Sequence, residues 1–382
     1  MSATTVLIVD DQPDKEADAI AGDIASAGDV VADAVHPGKL SRAQIEEADL
    51  ILVDYKLDDW LKERDAGEGG GPSKELISQK PCNGLALAAV IRSQLPPDDG
   101  VRGIALLSAN LTDLVQDFTR AATEHTAARF SGVEWAFDKK EIEGLPDLAE
   151  RILSFAAALR TLNEQWAKVE EEDDREQTLF HLLELGAAPW AEVAGRDVHA
   201  AQAPINQYGT ASHGLSVLRW LGQRILPYPT FLLDSRRLAM ACGIALGAID
   251  YDDQMKALES VFGEARYQGP LANFLGPRWW RAGVRHTVRE LSGDTLPGPE
   301  VAAAVEAQAG ADLGRLEPPG AVLGIDGSLN VVGTVARERA LRIRPDDWPP
   351  FAETGWLSME QLQKEPSLID LIDPVDRGRL ES

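Results

Sequence analysis

The chain has 382 residues, 44% hydrophobic and 26% charged, with a net charge of −25. That charge excludes broad nucleic-acid binding, which needs a cationic surface to release counterions, so DNA is not an expected partner. No run approaches the ~18 apolar residues of a membrane span, the N-terminus lacks the basic region and cleavage site of a secretory signal, and Cys82 and Cys242 form no CxxC pair; a cytoplasmic, reducing location is expected.

Val6–Val9 is a short continuous apolar run of the kind that forms a strand buried on both faces of a parallel sheet. A helical pattern over 13–27 follows, then a strand over Val30–Val35, a weak helix over 41–47 and a third strand over Leu50–Val53. Residues 83–95 read as a helix, Ile104–Leu107 as a strand, 111–127 as a helix and Val133–Phe137 as a fifth strand. Five strands alternating with helices predict an α/β fold, a doubly wound parallel sheet with helices on both faces. Ligands of such sheets bind at the carboxyl ends of the strands, where the strand order reverses.

The residues at those ends set the chemistry. Strand one runs into Asp10-Asp11, strand three into Asp54, strand four into Ser108-Ala109, and Lys139-Lys140 follow strand five. Three carboxylates in one crevice repel one another unless a divalent cation sits among them, and a hard oxygen site that keeps several waters suits Mg²⁺. A hydroxyl and an ammonium opposite can hold the oxygens of a phosphoryl group.

The segments VDDQ, ILVDYK, LLSAN and FDKK, in this order and each at the end of its own strand, make residues 4 to about 155 resemble response-regulator receiver domains. The resemblance implies a (βα)5 receiver over residues 1–144, phosphorylated on Asp54 by a cognate histidine kinase or phosphotransfer protein. It implies Asp11 as a direct Mg²⁺ ligand with Asp10 assisting, the Lys56 carbonyl as a further ligand, Ser108 as the hydroxyl that follows the phosphoryl group, and Ala109 as its small neighbour. Lys139 would pair with the phosphoryl oxygens, although Lys140 follows where proline is usual, so the choice between the two stays open. So does the aromatic switch residue, Trp135 or Phe137. The segment over 57–81 is far longer than the expected turn, and its GEGGGPS stretch is a loop signal: either a cover or partner contact for the site, or a tolerated surface insertion.

Beyond Gly144, Leu148, Ile152, Phe155, Leu159, Leu162, Trp166 and Val169 are spaced 4, 3, 4, 3, 4, 3. This spacing predicts a connector helix over 145–176 with a coiled-coil seam, hence a parallel homodimer; the alternative is a helix buried against its own chain. Residues 177–382 form the expected output region. Helical patterns cover 177–185, 212–225, 235–247, 252–263, 279–291 and 298–309, and a hairpin is expected over Ala321–Ile325 and Asn330–Val335, followed by a patterned tail. No Walker loop, HExxH or GxSxG motif marks an enzyme there, and the six histidines have no metal-ligand spacing.

Charge is uneven. Residues 1–150 carry −15, whereas 266–289 hold five arginines and no acid. Arg278, Arg281, Arg285 and Arg289 are spaced for one helix face, with Trp279 and Trp280 beside them. Such a strip reads as a solvated helix face, a dock for the acidic N-terminal domain or an acidic partner, a site for a nucleotide-like anion, or a groove for single-stranded nucleic acid. The leading expectation is a phosphorylation-controlled adaptor acting through an output protein partner. The alternative is an enzymatic output acting on an anionic substrate.

Overall fold

The structure is a computed structural model; it describes residues 3–60, 62, 81–95, 101–109, 111–114, 123–140, 142, 145–166, 172–205, 214–293, 298–345 and 348–380. The N-terminal half alternates as expected. Strand β1 (Thr4–Val9) leads through a helical turn, Pro13–Ala17, into α1 (Asp18–Ala27), β2 (Val30–Val35) and α2 (Arg42–Glu47). After β3 (Leu50–Asp54) come α3 (Gly84–Gln94), β4 (Gly103–Ser108), a 3₁₀ turn at Leu111–Leu114, α4 (Glu124–Ser131) and β5 (Trp135–Asp138). The single helix expected over 111–127 is instead that 3₁₀ turn plus α4, which runs past the expected end; 115–122 lie outside the described residues. All but residues 57–60, 62 and 81 of the 57–81 segment also lie outside them.

The five strands pair in parallel in the order β2-β1-β3-β4-β5. Period-two alternation divides their side chains between two cores. Val6, Ile8, Leu50, Leu52, Ala105 and Leu107 face α1 and a later helix, while Leu7, Val9, Ile51, Val53, Ile104 and Leu106 face α2, α3 and α4. Helices therefore cover both faces, which is why these strands read as unbroken apolar runs. Local signals set the helix starts: Ser41 and Gln44 form a capping box on α2, and the Asn83 side chain accepts the Ala86 N–H to open α3.

Helix α5 (Leu148–Gln165) carries the predicted seam, and here the structure corrects the coiled-coil expectation. Ile152, Phe155, Leu159, Leu162 and Trp166 are all buried within this chain, in the core on the α1 face of the sheet. Val169 lies outside the described residues. A stripe already covered by its own sheet has no apolar surface left for a second copy, so this seam is not a dimer interface.

The second half begins with α6 (Glu172–Leu182), α7 (Ala191–Ala200) and α8 (Gly214–Trp220), the last continued by a π-helical turn, Leu221–Ile225. Strand β6 (Leu232–Leu233), α9 (Ser235–Cys242), α10 (Asp252–Phe262), β7 (Trp279–Trp280), α11 (Arg281–Ser292) and α12 (Pro299–Ala309) follow. The helix expected from 279 starts two residues later, because Trp279 and Trp280 pair with Leu233 and Leu232 as a short antiparallel ribbon. The predicted hairpin is present as β8 (Val322–Ile325) and β9 (Val331–Val335), but it is half of a larger sheet. With β10 (Ala340–Ile343) and β11 (Gly355–Ser358) it forms a four-stranded sheet in the order β10-β11-β8-β9, followed by short helices α13 (Met359–Lys364) and α14 (Pro374–Arg377).

The two halves share one core. Phe274 packs edge-on against Trp135 at 4.8 Å between ring centroids and lies 5.3 Å from Phe155. Just before the edge strand β5, the Gln223 side-chain amide donates to the carbonyls of Val133 (3.0 Å) and Glu134 (2.8 Å), and Arg219 pairs with the Glu134 carboxylate at 2.6 Å. No described helix is long and apolar enough to cross a membrane.

Candidate functional site

The carboxyl ends of β1, β3, β4 and β5 meet at the point where the strand order reverses, and a cavity of about 530 Å³ opens there. Asp10, Asp11, Asp54, Lys56 and Lys139 all line it. Asp54 ends β3, and its buried carboxylate takes the Lys139 ammonium on Oδ1 at 2.8 Å and the Lys56 backbone N–H on Oδ2 at 3.1 Å. The lysine that reaches the site is thus Lys139; Lys140 is exposed. Lys139 Nζ also lies 3.7 Å from Asp10 Oδ2 and 2.9 Å from Glu16. Ser108, 2% exposed at the end of β4, is tied to the same loop through its carbonyl, which accepts the Lys139 N–H at 2.9 Å.

The electrostatics follow from this crowding. Burial pushes the Asp54 carboxyl up to about 6, and the negative charges of Asp10 and Asp11 push the same way against the pull of Lys139. Burial disfavours the Lys139 ammonium, but its bonds to Asp54 and Glu16 outweigh that and hold it above the usual lysine range. One ammonium thus faces several carboxylates.

Asp11 has a further engagement. Its Oδ2 accepts the backbone N–H groups of Asp59 (2.8 Å) and Trp60 (3.1 Å), anchoring the start of the long segment after β3 against the site. Asp58, Asp59 and Lys62 from that segment line the cavity, while Trp60 is buried beneath it.

The donor set suits Mg²⁺. The carboxylates of Asp10 and Asp54 and the carbonyl of Lys56 are hard oxygens, and Asp11 retains Oδ1, which accepts no hydrogen bond among the described residues. Among the described residues no group of three or more acidic, histidine or cysteine side chains is arranged to hold a metal ion by itself. Mg²⁺ does not need one, because it keeps several waters and is held by one or two carboxylates.

Three contributors escaped the sequence reading. Glu16 fixes Lys139 from the turn before α1. Gly84 lets α3 begin hard against β3: a Cβ there would sit 1.9 Å from the Asp54 carbonyl oxygen. The only sequence signal for it is the Asn-Gly pair that caps the helix. Glu124 is buried behind β5, where it accepts the Asp138 N–H (2.7 Å) and the Trp135 indole N–H (3.1 Å) and pairs with Arg151. Burial pushes Glu124 up against the pull of that guanidinium. Trp135 and Phe137, the two candidate switch aromatics, are both fully buried on the face that meets Phe155 and Phe274.

The arginine strip is divided by the structure. Arg278 precedes α11 rather than sharing its face. It is buried and donates to the carbonyls of Gly276, Pro277 and Leu226, and burial pulls its guanidinium down to about 10. Trp279 and Trp280 are core residues, and the Arg266 guanidinium lies over the Trp279 ring at 4.8 Å from its centroid. Arg281 is paired with Asp197 (3.2 Å) and Glu353 (2.7 Å), both outside residues 1–144. Only Arg285 and Arg289 are exposed.

No protein-family model matches the chain, and no curated protein matches it.

Proposed function

We propose that residues 1–144 form a (βα)5 receiver of the response-regulator type, a Mg²⁺-dependent phospho-acceptor whose acceptor is Asp54, and that the rest of the chain is its output, acting on a partner protein. The observation that carries the reading is the buried Asp54 carboxylate bonded to Lys139 with Asp10 beside them, at the switch point of the parallel sheet. A carboxylate there can attack the phosphorus of a phosphodonor such as a phosphohistidine. The bond from phosphorus to the donor nitrogen breaks, the imidazole leaves with a proton, and an acyl phosphate forms on Asp54. Mg²⁺ would be held directly by Asp11 and Asp54 with the Lys56 carbonyl, Asp10 assisting through water, and would offset the charge of the phosphoryl oxygens.

The chain's own groups supply the rest. Lys139 is oriented by Glu16 and neutralises an oxygen of the arriving group, and the hydroxyl of Ser108, buried at the end of β4, would have to turn toward that group to follow it. Burial pushes the Asp54 carboxyl up to about 6 in the metal-free site, where it is still mostly ionised at neutral pH, and a divalent cation beside it would favour the ionised nucleophile further. The implied partner is a histidine kinase or phosphotransfer protein. The test is labelling by a small phosphodonor with Mg²⁺. One phosphoryl group per chain, lost in Asp54→Asn and with EDTA, is the expected result. Labelling that survives Asp54→Asn would overturn the assignment.

A further inference from the structure

We infer that a second ligand site, independent of the Asp54 site, lies between α9, α11 and the four-stranded sheet, and that it takes a small carboxylate with an aromatic or aliphatic body. A cavity of about 290 Å³ opens there. It falls where two hydrophobic cores meet without closing: Leu233, Val284 and Val288 belong to the core of the helices, Ile325 and Trp348 to the core of the sheet. Junctions between packed modules are where small-molecule sites form, and sites of this kind begin at roughly 300 Å³.

Charge then narrows the ligand class. Three guanidinium groups and one carboxylate line the cavity: Arg237, Arg281, Arg285 and Glu353. Arg237 is committed to Asp234, and Arg281 to Glu353 and Asp197. Arg285 is exposed, and among the described residues it makes no ion pair or hydrogen bond. One free guanidinium at the mouth of an apolar cavity selects a singly charged, bidentate anion. The apolar walls disfavour a compact, strongly hydrated anion, which would lose its water without replacement partners. An aryl or alkyl carboxylate meets both conditions.

The probe is 2-naphthoate, titrated calorimetrically into the full chain beside neutral 2-naphthalenemethanol and inorganic phosphate. The acid should bind one to one and at least about tenfold more tightly than either comparator. Arg285→Glu, a change at an exposed position, should weaken it by about tenfold or more, and Val288→Trp should remove binding by filling the cavity. Because Val288→Trp could disturb folding, Arg285→Glu decides the matter by itself, with an unchanged melting temperature as its control. No naphthoate binding up to about 1 mM, equal binding of acid and alcohol, or unchanged affinity in Arg285→Glu would overturn the inference.

Discussion

Replacing Asp54 by asparagine should stabilise the metal-free protein. Asp54 is only 7% exposed, and its carboxyl is pushed from 3.8 to about 6, by burial first and then by Asp10 and Asp11, against the pull of Lys139. A carboxyl whose pKa is raised by folding holds its proton more tightly in the folded chain, so ionising it subtracts from stability. The loss accrues as pH rises from about 4 to about 6 and is constant above. At about 1.4 kcal/mol per tenfold change in proton affinity, it reaches about 3 kcal/mol at neutral pH and about half that near pH 5. Asparagine keeps the shape without the charge, and Lys139 keeps its 2.9 Å contact with Glu16. A gain of about 1–3 kcal/mol is therefore expected at neutral pH, shrinking toward pH 5. Urea unfolding in EDTA, with hydrogen exchange on β3 as a local probe, measures both. A variant less stable than the parent at neutral pH, or a gain that grows on acidification, would refute the reasoning. Mg²⁺ should narrow the difference, since a ligand of the folded state stabilises only the chain that binds it.

Gly84→Ala should cost about 3 kcal/mol, because its Cβ meets the Asp54 carbonyl oxygen at 1.9 Å and α3 must shift; it should also lose phosphoryl acceptance while keeping its helix content by circular dichroism. Leu159→Glu buries an unpaired charge in the shared core, so it should unfold the chain rather than release folded monomers, a distinction that circular dichroism and light scattering make directly. Phe274→Ala removes the ring that packs on Trp135 and Phe155 and should cost about 3–5 kcal/mol in urea unfolding, with hydrogen-exchange protection lost most on β5 and α5.

The parallel sheet and the strand-end residues were legible because both rest on local signals. Each buried strand is a short apolar run, and the residue that follows it stands at the carboxyl edge whatever the rest of the chain does. The Lys139-Lys140 pair and Asp54 therefore share one edge by their places after β5 and β3, and Lys139 is the member that meets Asp54, at 2.8 Å. What the sequence hid depends on partners distant in the chain. Glu16 is one acid among many until Lys139 reaches it from the far side of the site. The Glu124–Arg151 pair joins two helices through a buried pocket that no spacing announces. Arg278 fitted the helical spacing of its neighbours, yet Trp279 and Trp280 form a strand, because pairing with Leu232 and Leu233 buries both indoles. The second pair of strands in the small sheet was missed for a related reason: β11 lies between β10 and β8, a neighbour relation that a hairpin reading cannot supply.

The apolar seam of α5 shows the same limit most sharply. A 4-3 spacing states that one stripe of a helix is apolar, but not what covers it. The distinction between a supercoiled and a straight helix rests on a drift of ~20° per heptad, so over the 18 residues of α5 it amounts to about 50°, roughly half the width of an ordinary buried stripe. Two and a half heptads cannot separate the cases. The glycines opposite the stripe can. A Cβ on Gly103 would lie 2.5 Å from a Leu159 methyl, and one on Gly214 would lie 3.1 Å from the Leu162 Cβ. Those two glycines let the start of β4 and the start of α8 close on the seam from two sides. The residues that choose between a dimer helix and an interior one are therefore not in the helix at all; they are in the elements that had to make room for it.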